Sequence, residues 1–174
     1  MLFLKSALVL SLLFLLYQDL KFRAVYWVIF PMMFLLLLAI SFLSGASIKQ
    51  MMQNVLLNNA FVAAQLFLVT LYFSIKQKQW IWITNELIGW GDLLFLISIS
   101  AYLSTISYLF FYIFSLLITL LICAPFMLAA SSKTFKVPLA GIQACIFAAL
   151  LISDWNSKWM DLSSDEWILN VIAA

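Results

Sequence analysis

Two aspartates, Asp19 and Asp92, are the residues of this sequence best placed to do chemistry, because each sits against long apolar stretches where a carboxylate is expensive. Asp92 stands in ITNELIGWGDLLF (83–95), behind Gly89 and Gly91, two of only four glycines in the chain. Backbone permissiveness is therefore concentrated beside a residue that a bilayer resists. Asp19 closes the first apolar stretch in YQDLKFRAVYW, with Lys21 and Arg23 beside it. Two carboxylates that share a partly desolvated site cannot both ionise cheaply, so one keeps a proton while the other serves as a base. Such a pair can take a proton from water, direct that water at a peptide carbonyl, and polarise the carbonyl with the protonated partner. The reaction needs no metal and no cofactor. On spacing alone, each residue also has a plain structural role of equal standing. Asp92 could be an acid in the first turn of a helix, where the dipole favours it. Asp19 could pair with Lys21 or Arg23 at an interface, a contact worth at most about 1 kcal/mol.

The elements that must position these groups are set by composition. Hydrophobic residues make up 67% of the 174, charged residues 9%, and the mean hydropathy is +1.14; a soluble domain carries about a quarter charged residues. The expected class is all-α, a multi-pass membrane protein with about six transmembrane helices, since each apolar stretch approaches the length needed to span and none alternates as a barrel strand would. The stretches run over about 2–17, 25–42 and 55–75, then from near Glu86 through Asp92, then 108–130 with Pro125 expected to bend it, and 137–152. Residues 1–152 read as the membrane domain. The tail, 153–174, is acidic and carries Trp155, Trp159 and Trp167, and reads as a short interfacial helix. Asn58, Asn59 and Gln65 inside the third stretch are expected to face protein rather than lipid.

Several function classes fall away. The net charge of +2 is not gathered into long basic runs, so no nucleic-acid partner is expected. The chain has no histidine, which removes histidine triads and histidine metal sites. Cys123 and Cys145 form no CxxC pair and lie in apolar segments, so no metal centre is expected. With the N-terminus outside, the inner connections hold Lys21, Arg23, Lys76, Lys78, Lys133 and Lys136, leaving Lys5, Lys49 and Lys158 outside. The positive-inside rule therefore favours both termini outside, and it puts Asp19, Glu86 and Asp92 together at the cytoplasmic end.

The ordered pair, an acid with nearby bases after a first hydrophobic helix and a later GWGD opening another, resembles the type IV prepilin peptidase family of GxGD membrane aspartyl proteases. PLAGIQACIFAALLI (138–152) is similar to the closing helix of that family, which begins with a proline and small residues. The six-helix size resembles the short members that lack the cytosolic methyltransferase domain. The resemblance implies Asp19 and Asp92 as the catalytic pair and Gly89 and Gly91 as the motif glycines. It also implies pilin-like precursor proteins as substrates, cut at the cytoplasmic face of a bacterial or archaeal inner membrane. Glu86 offers a charge for the basic leader of such a precursor, against the plainer role of a helix-cap acid; Thr84 and Asn85 read as capping residues. Two departures stand out. Leu94 occupies the position where the family usually carries lysine, and Val25, Tyr26 and Trp27 stand where it often has a proline.

Two other functions compete with the peptidase. A catalytically inactive relative could serve as a membrane scaffold, for which Leu94 is the best support. A small transporter could use the two aspartates as ion sites, and that would call for carboxylates near the midplane and a repeat between halves; no such repeat is visible.

Overall fold

The computed structural model describes residues 1–78, 89–129, 138–156 and 161–168. Among them the chain forms six α-helices and no strand: α1 (Leu2–Phe22), α2 (Ile29–Leu43), α3 (Ile48–Gln77), α4 (Trp90–Ile99), α5 (Thr105–Ala129) and α6 (Leu139–Asn156). The all-α class follows from the sequence, and four helices are long and apolar enough to cross a bilayer. Among the described residues four helices reach that length, against the six spans expected. α2 has 15 residues and α4 has 10, roughly 22 Å and 15 Å at 1.5 Å per residue, against a hydrocarbon core of about 30 Å. Large apolar side chains cover the outside of the bundle, among them Leu10, Leu35, Leu68 and Leu121, each at least 64% exposed. A protein bathed in water does not leave such a surface bare.

Several ends differ from the sequence expectation, each for a local reason. α1 runs past Tyr17 through Asp19 to Phe22, because polar residues without Gly or Pro do not stop a helix. It ends at Arg23, which adopts the left-handed conformation (φ 51°) and donates its N–H to the Asp19 carbonyl at 3.0 Å. α3 begins at Ile48 rather than 55, where Ser47 Oγ accepts the Gln50 N–H at 3.2 Å as an N-cap. α5 starts at Thr105, and the helix continues through Pro125.

The core explains why the chain's first and last helices are neighbours. Leu8, Leu12 and Leu15 form one fully buried stripe on α1, whereas Leu10, Leu13 and Phe14 lie outside. α6 offers Ala140, Ala144 and Ala148 at four-residue spacing, all buried, with Gly141 beside them. Small residues at that spacing let two helices approach closely, and α1 against α6 is the most extensive helix pairing. Phe95, Phe111 and Phe147 join α4, α5 and α6, with the Phe147 ring edge-on to Phe95 at 6.3 Å and to Phe111 at 5.5 Å.

The segment 100–104 is the least expected part of the fold, a non-helical turn whose five residues are all buried. Backbone at such a place survives only if its polar groups find partners inside the protein. Asn58 donates to the carbonyls of Ser100 (3.2 Å) and Leu103 (3.0 Å), and Tyr108 Oη–H donates to Leu96 O at 3.1 Å. Asn59 donates to Ser100 Oγ at 3.0 Å, and Gln65 to the Tyr112 hydroxyl at 2.6 Å. Asn58, Asn59 and Gln65 thus all face protein.

The tail is docked against the bundle in its described part, residues 161–168. α6 carries Asp154 and Trp155 in its last turn. Asp154 accepts the Tyr102 hydroxyl at 2.6 Å and the Leu162 N–H at 2.8 Å. Ser104 N–H donates to Leu162 O at 3.0 Å, Asp165 accepts the Ile106 N–H at 3.0 Å, and Trp167 Nε1–H donates to Ser107 Oγ at 3.1 Å. Asp165 therefore caps the start of α5 from sixty residues away in the chain, and Leu162 is buried against the core.

Candidate active site

Three helix ends meet at one side of the bundle: the C-terminus of α1 and the N-termini of α4 and α6. Asp19 lies one turn from the end of α1, and its Oδ2 accepts the Gly141 N–H at 2.6 Å. Asp92 is the third residue of α4. Its carboxylate lies close to the backbone of Gly89 and near Ala140 at the start of α6, within the electrostatic reach of Asp19. The first turn of α6 therefore faces both aspartates, with the Gly141 amide bonded to Asp19 and Ala140 beside Asp92. The amides of a first turn have no acceptor inside their own helix, and the positive end of the helix dipole points at the pair.

Glycine is required here for close approach rather than for flexibility. A Cβ on Gly141 would lie 3.0 Å from both Cβ and Oδ2 of Asp19 and 3.4 Å from its Cγ. A Cβ on Gly89 would meet Asp92 Oδ2 at 3.0 Å. Gly89 is the N-cap of α4, with extended backbone (φ −67°, ψ 137°), and Asp92 is the third residue of the helix, the position whose side chain faces the N-cap in a capping box. The two motif glycines are not equivalent, since a Cβ on Gly91 would meet only Phe30 Cζ at an ordinary 3.8 Å.

The surroundings hold this geometry. Gln18, 3% exposed, accepts the Tyr26 N–H at 3.1 Å and ties the loop after α1 back onto the helix. Lys21 donates to the Tyr17 hydroxyl at 2.6 Å and lies over the Tyr17 and Phe22 rings. Ser98 Oγ–H is shared between Leu94 O of its own helix at 2.7 Å and Phe30 O at 3.0 Å, which ties α4 to α2. Leu94, where the family resemblance implies lysine, packs partly buried against the core. Glu86, Thr84 and Asn85 lie outside the described residues.

The sequence alone did not single out Gly141, whose amide holds Asp19, or Ala140 beside it. Their signal was present in PLAG, a proline followed by small residues at the mouth of an apolar helix, but it needs the α1 contact to be read as a carboxylate seat. Gln143, one turn further along α6, was also missed. It is 0% exposed, and its Nε2–H donates to Ser115 Oγ at 3.1 Å.

Comparisons with protein-family models, with curated proteins and with solved structures return no match to this chain.

Proposed function

We propose that the chain is a membrane aspartic endopeptidase that removes the basic leader from type IV prepilin-like precursors. The observation that carries this reading is the convergence of Asp19 and Asp92 at a single helix start, with the Gly141 N–H bonded to Asp19 and Asp92 within electrostatic reach of it. In the proposed mechanism the ionised aspartate takes a proton from water as the water oxygen attacks the scissile carbonyl. The protonated aspartate gives its proton to the carbonyl oxygen, and the tetrahedral intermediate collapses as the amine leaves with a proton. The α6 N-terminus steadies the negative charge that remains on the pair throughout. The topology proposed with it has both termini outside a bacterial or archaeal inner membrane, six helices in one domain, and the pair facing the cytoplasm, where the leader's lysines and arginines would meet it.

One observation favours a second reading, an inactive relative that serves as a scaffold. Leu94 gives the site no cation at the position where the family resemblance implies one. The test is leader cleavage in membranes by the parent, by Asp19→Asn and by Asp92→Asn, with pilin-like precursors of the same genome. Cleavage by the parent and none by either variant, with all three inserted equally, is the expected result. Full cleavage by either variant would sink the two-carboxylate mechanism, and no cleavage by the parent would favour the scaffold.

A further inference from the structure

The end of the bundle away from the two aspartates holds a second polar site. Lys5 stands on α1 ahead of Asp19, roughly 21 Å along the helix at 1.5 Å per residue. It lines an open cleft of about 520 Å³ together with Ser41, Gln50, Asp154, Asp161 and Ser163. Three parts of the chain wall this cleft: the start of α1, the connection between α2 and α3, and the tail with the last turn of α6.

The cleft carries charges of both signs that do not pair with each other. Lys5 Nζ lies over the Trp155 ring, 4.7 Å from its centroid, and bonds to neither acid. Asp154 has engaged both its oxygens, one with the Tyr102 hydroxyl at 2.6 Å and the other with the Leu162 N–H at 2.8 Å. Asp161 lies within electrostatic reach of Asp154. Its Oδ1 accepts the N–H and the hydroxyl of Ser163 at 3.0 and 2.7 Å, and its Oδ2 is without a hydrogen-bond partner among the described residues. Such a cleft suits a zwitterion. A phosphate takes up the donors of Lys5, and an ammonium takes the open oxygen of Asp161 with the charge of Asp154 behind it.

An apolar groove of about 570 Å³ begins beside the cleft and runs between α2 and α3. The two share the α2–α3 connection, where Ser41 and Gln50 face the cleft and Phe42 and Met51 face the groove. Every side chain that lines the groove is apolar. From Phe42 down to Phe34 it follows α2 for roughly 12 Å, against roughly 15 Å for half of a bilayer's hydrocarbon core. A polar cleft at the head of an apolar groove one leaflet deep has the shape of a membrane lipid rather than of a soluble zwitterion.

We propose that cleft and groove together bind a glycerophospholipid with a primary ammonium headgroup, of the phosphatidylethanolamine class. Lys5 holds the phosphate, Asp161 the ammonium, and one acyl chain lies between α2 and α3. A primary ammonium is preferred to a quaternary one because it donates hydrogen bonds. The Trp155 ring that could hold a choline by cation–π attraction is already covered by Lys5. An anionic headgroup would bring no cation to the two carboxylates. The site is independent of the endopeptidase reading, and its occupant would tie the tail to the α2–α3 connection.

The test is native mass spectrometry of the full chain in detergent, titrated with dioleoyl phosphatidylethanolamine, with the choline and glycerol lipids of the same chains, and with chain-free glycerophosphoethanolamine. The parent should take one ethanolamine lipid about tenfold more tightly than either other lipid, the scale of a charge-assisted hydrogen bond, and the chain-free compound should not bind at those concentrations. Asp161→Asn keeps the Oδ1 that serves Ser163 and removes the charge, so it should bring the ethanolamine-to-choline ratio close to one. Lys5→Gln should weaken both lipids by a similar factor, since both carry the phosphate. Ala39→Phe fills the groove from α2 and should weaken every lipid; Met52→Gln, on the opposite wall and 60% exposed, should act in the same sense should Ala39→Phe fail to fold. Equal affinity for the three lipids overturns the proposal and leaves only a belt of bulk lipid, and tighter binding of the glycerol lipid overturns it too. A chain-free compound that binds as tightly as the lipid removes the groove from the site. An ethanolamine preference that survives Asp161→Asn removes the seat given to the ammonium.

Discussion

Substituting Gly141 by alanine sets two well-separated effects against each other. On propensity alone the change should help, since replacing a helical glycine by alanine gains roughly 0.5–1 kcal/mol. The structure predicts the opposite sign. The new methyl would sit 3.0 Å from Asp19 Cβ and Oδ2, and the Cβ contact cannot be relieved by rotating a side chain. α1 must shift against α6 by several tenths of an ångström, along the most extensive helix pairing of the fold. That movement weakens the 2.6 Å bond from Gly141 N–H to the Asp19 carboxylate, and a hydrogen bond to a charged group contributes about 1.5–3 kcal/mol. The net expectation is a loss of about 1–2 kcal/mol, read as a lower midpoint of thermal unfolding in detergent. Leader cleavage should fall further, by about a hundredfold, because a displacement of 1 Å in a reacting group can cost that much. Gly91→Ala is the matched comparison, with only an ordinary 3.8 Å contact to Phe30 to meet, and it should leave the unfolding midpoint unchanged or raised. If Gly141→Ala is as stable as Gly91→Ala and cleaves at the parental rate, the account of α6 as the seat of the Asp19 carboxylate is wrong.

Three further outcomes follow from the same contacts. Asn58→Leu should destabilise by about 1–3 kcal/mol in thermal unfolding, since it removes both donors to Ser100 O and Leu103 O and leaves buried carbonyls unmet. Asp165→Ala should speed amide hydrogen exchange at Ile106 and cost about 1 kcal/mol, the usual worth of a helix N-cap; unchanged exchange there would show that the tail does not cap α5. The dependence of kcat/KM on pH should be bell-shaped, with limbs that belong to the pair of aspartates rather than to either one, and a chelator should leave cleavage as it was. A single sigmoid rise or fall, or loss of cleavage on chelation, would point to different chemistry.

What could be read from the sequence, and what could not, divides along a physical line. Membrane class and the two aspartates are legible because a bilayer makes charge conspicuous, so that any acid among so few draws attention. Helix ends are less legible for the same reason, since apolar runs were read as helices and polar residues as their limits. Polarity misplaced the end of α1, where Gln18 and Asp19 continue the helix, and it misplaced the start of α3, where Ser47 caps seven residues earlier than the apolar run suggests. The short α4 shows a deeper limit. Hydropathy counts residues toward a span, yet Ser100 to Ser104 turn the chain inside the protein because Asn58 and the tail supply partners that lie far away in sequence. The same holds at the site. GWGD displays Asp92, but the amide that holds Asp19 belongs to a helix that begins almost fifty residues after Asp92, and only the packing of Ala140, Ala144 and Ala148 against the leucine stripe of α1 brings that helix start close to both carboxylates. Small residues in α6 are thus as much a part of the proposed chemistry as the acids, because they set how closely the backbone that holds those acids can come.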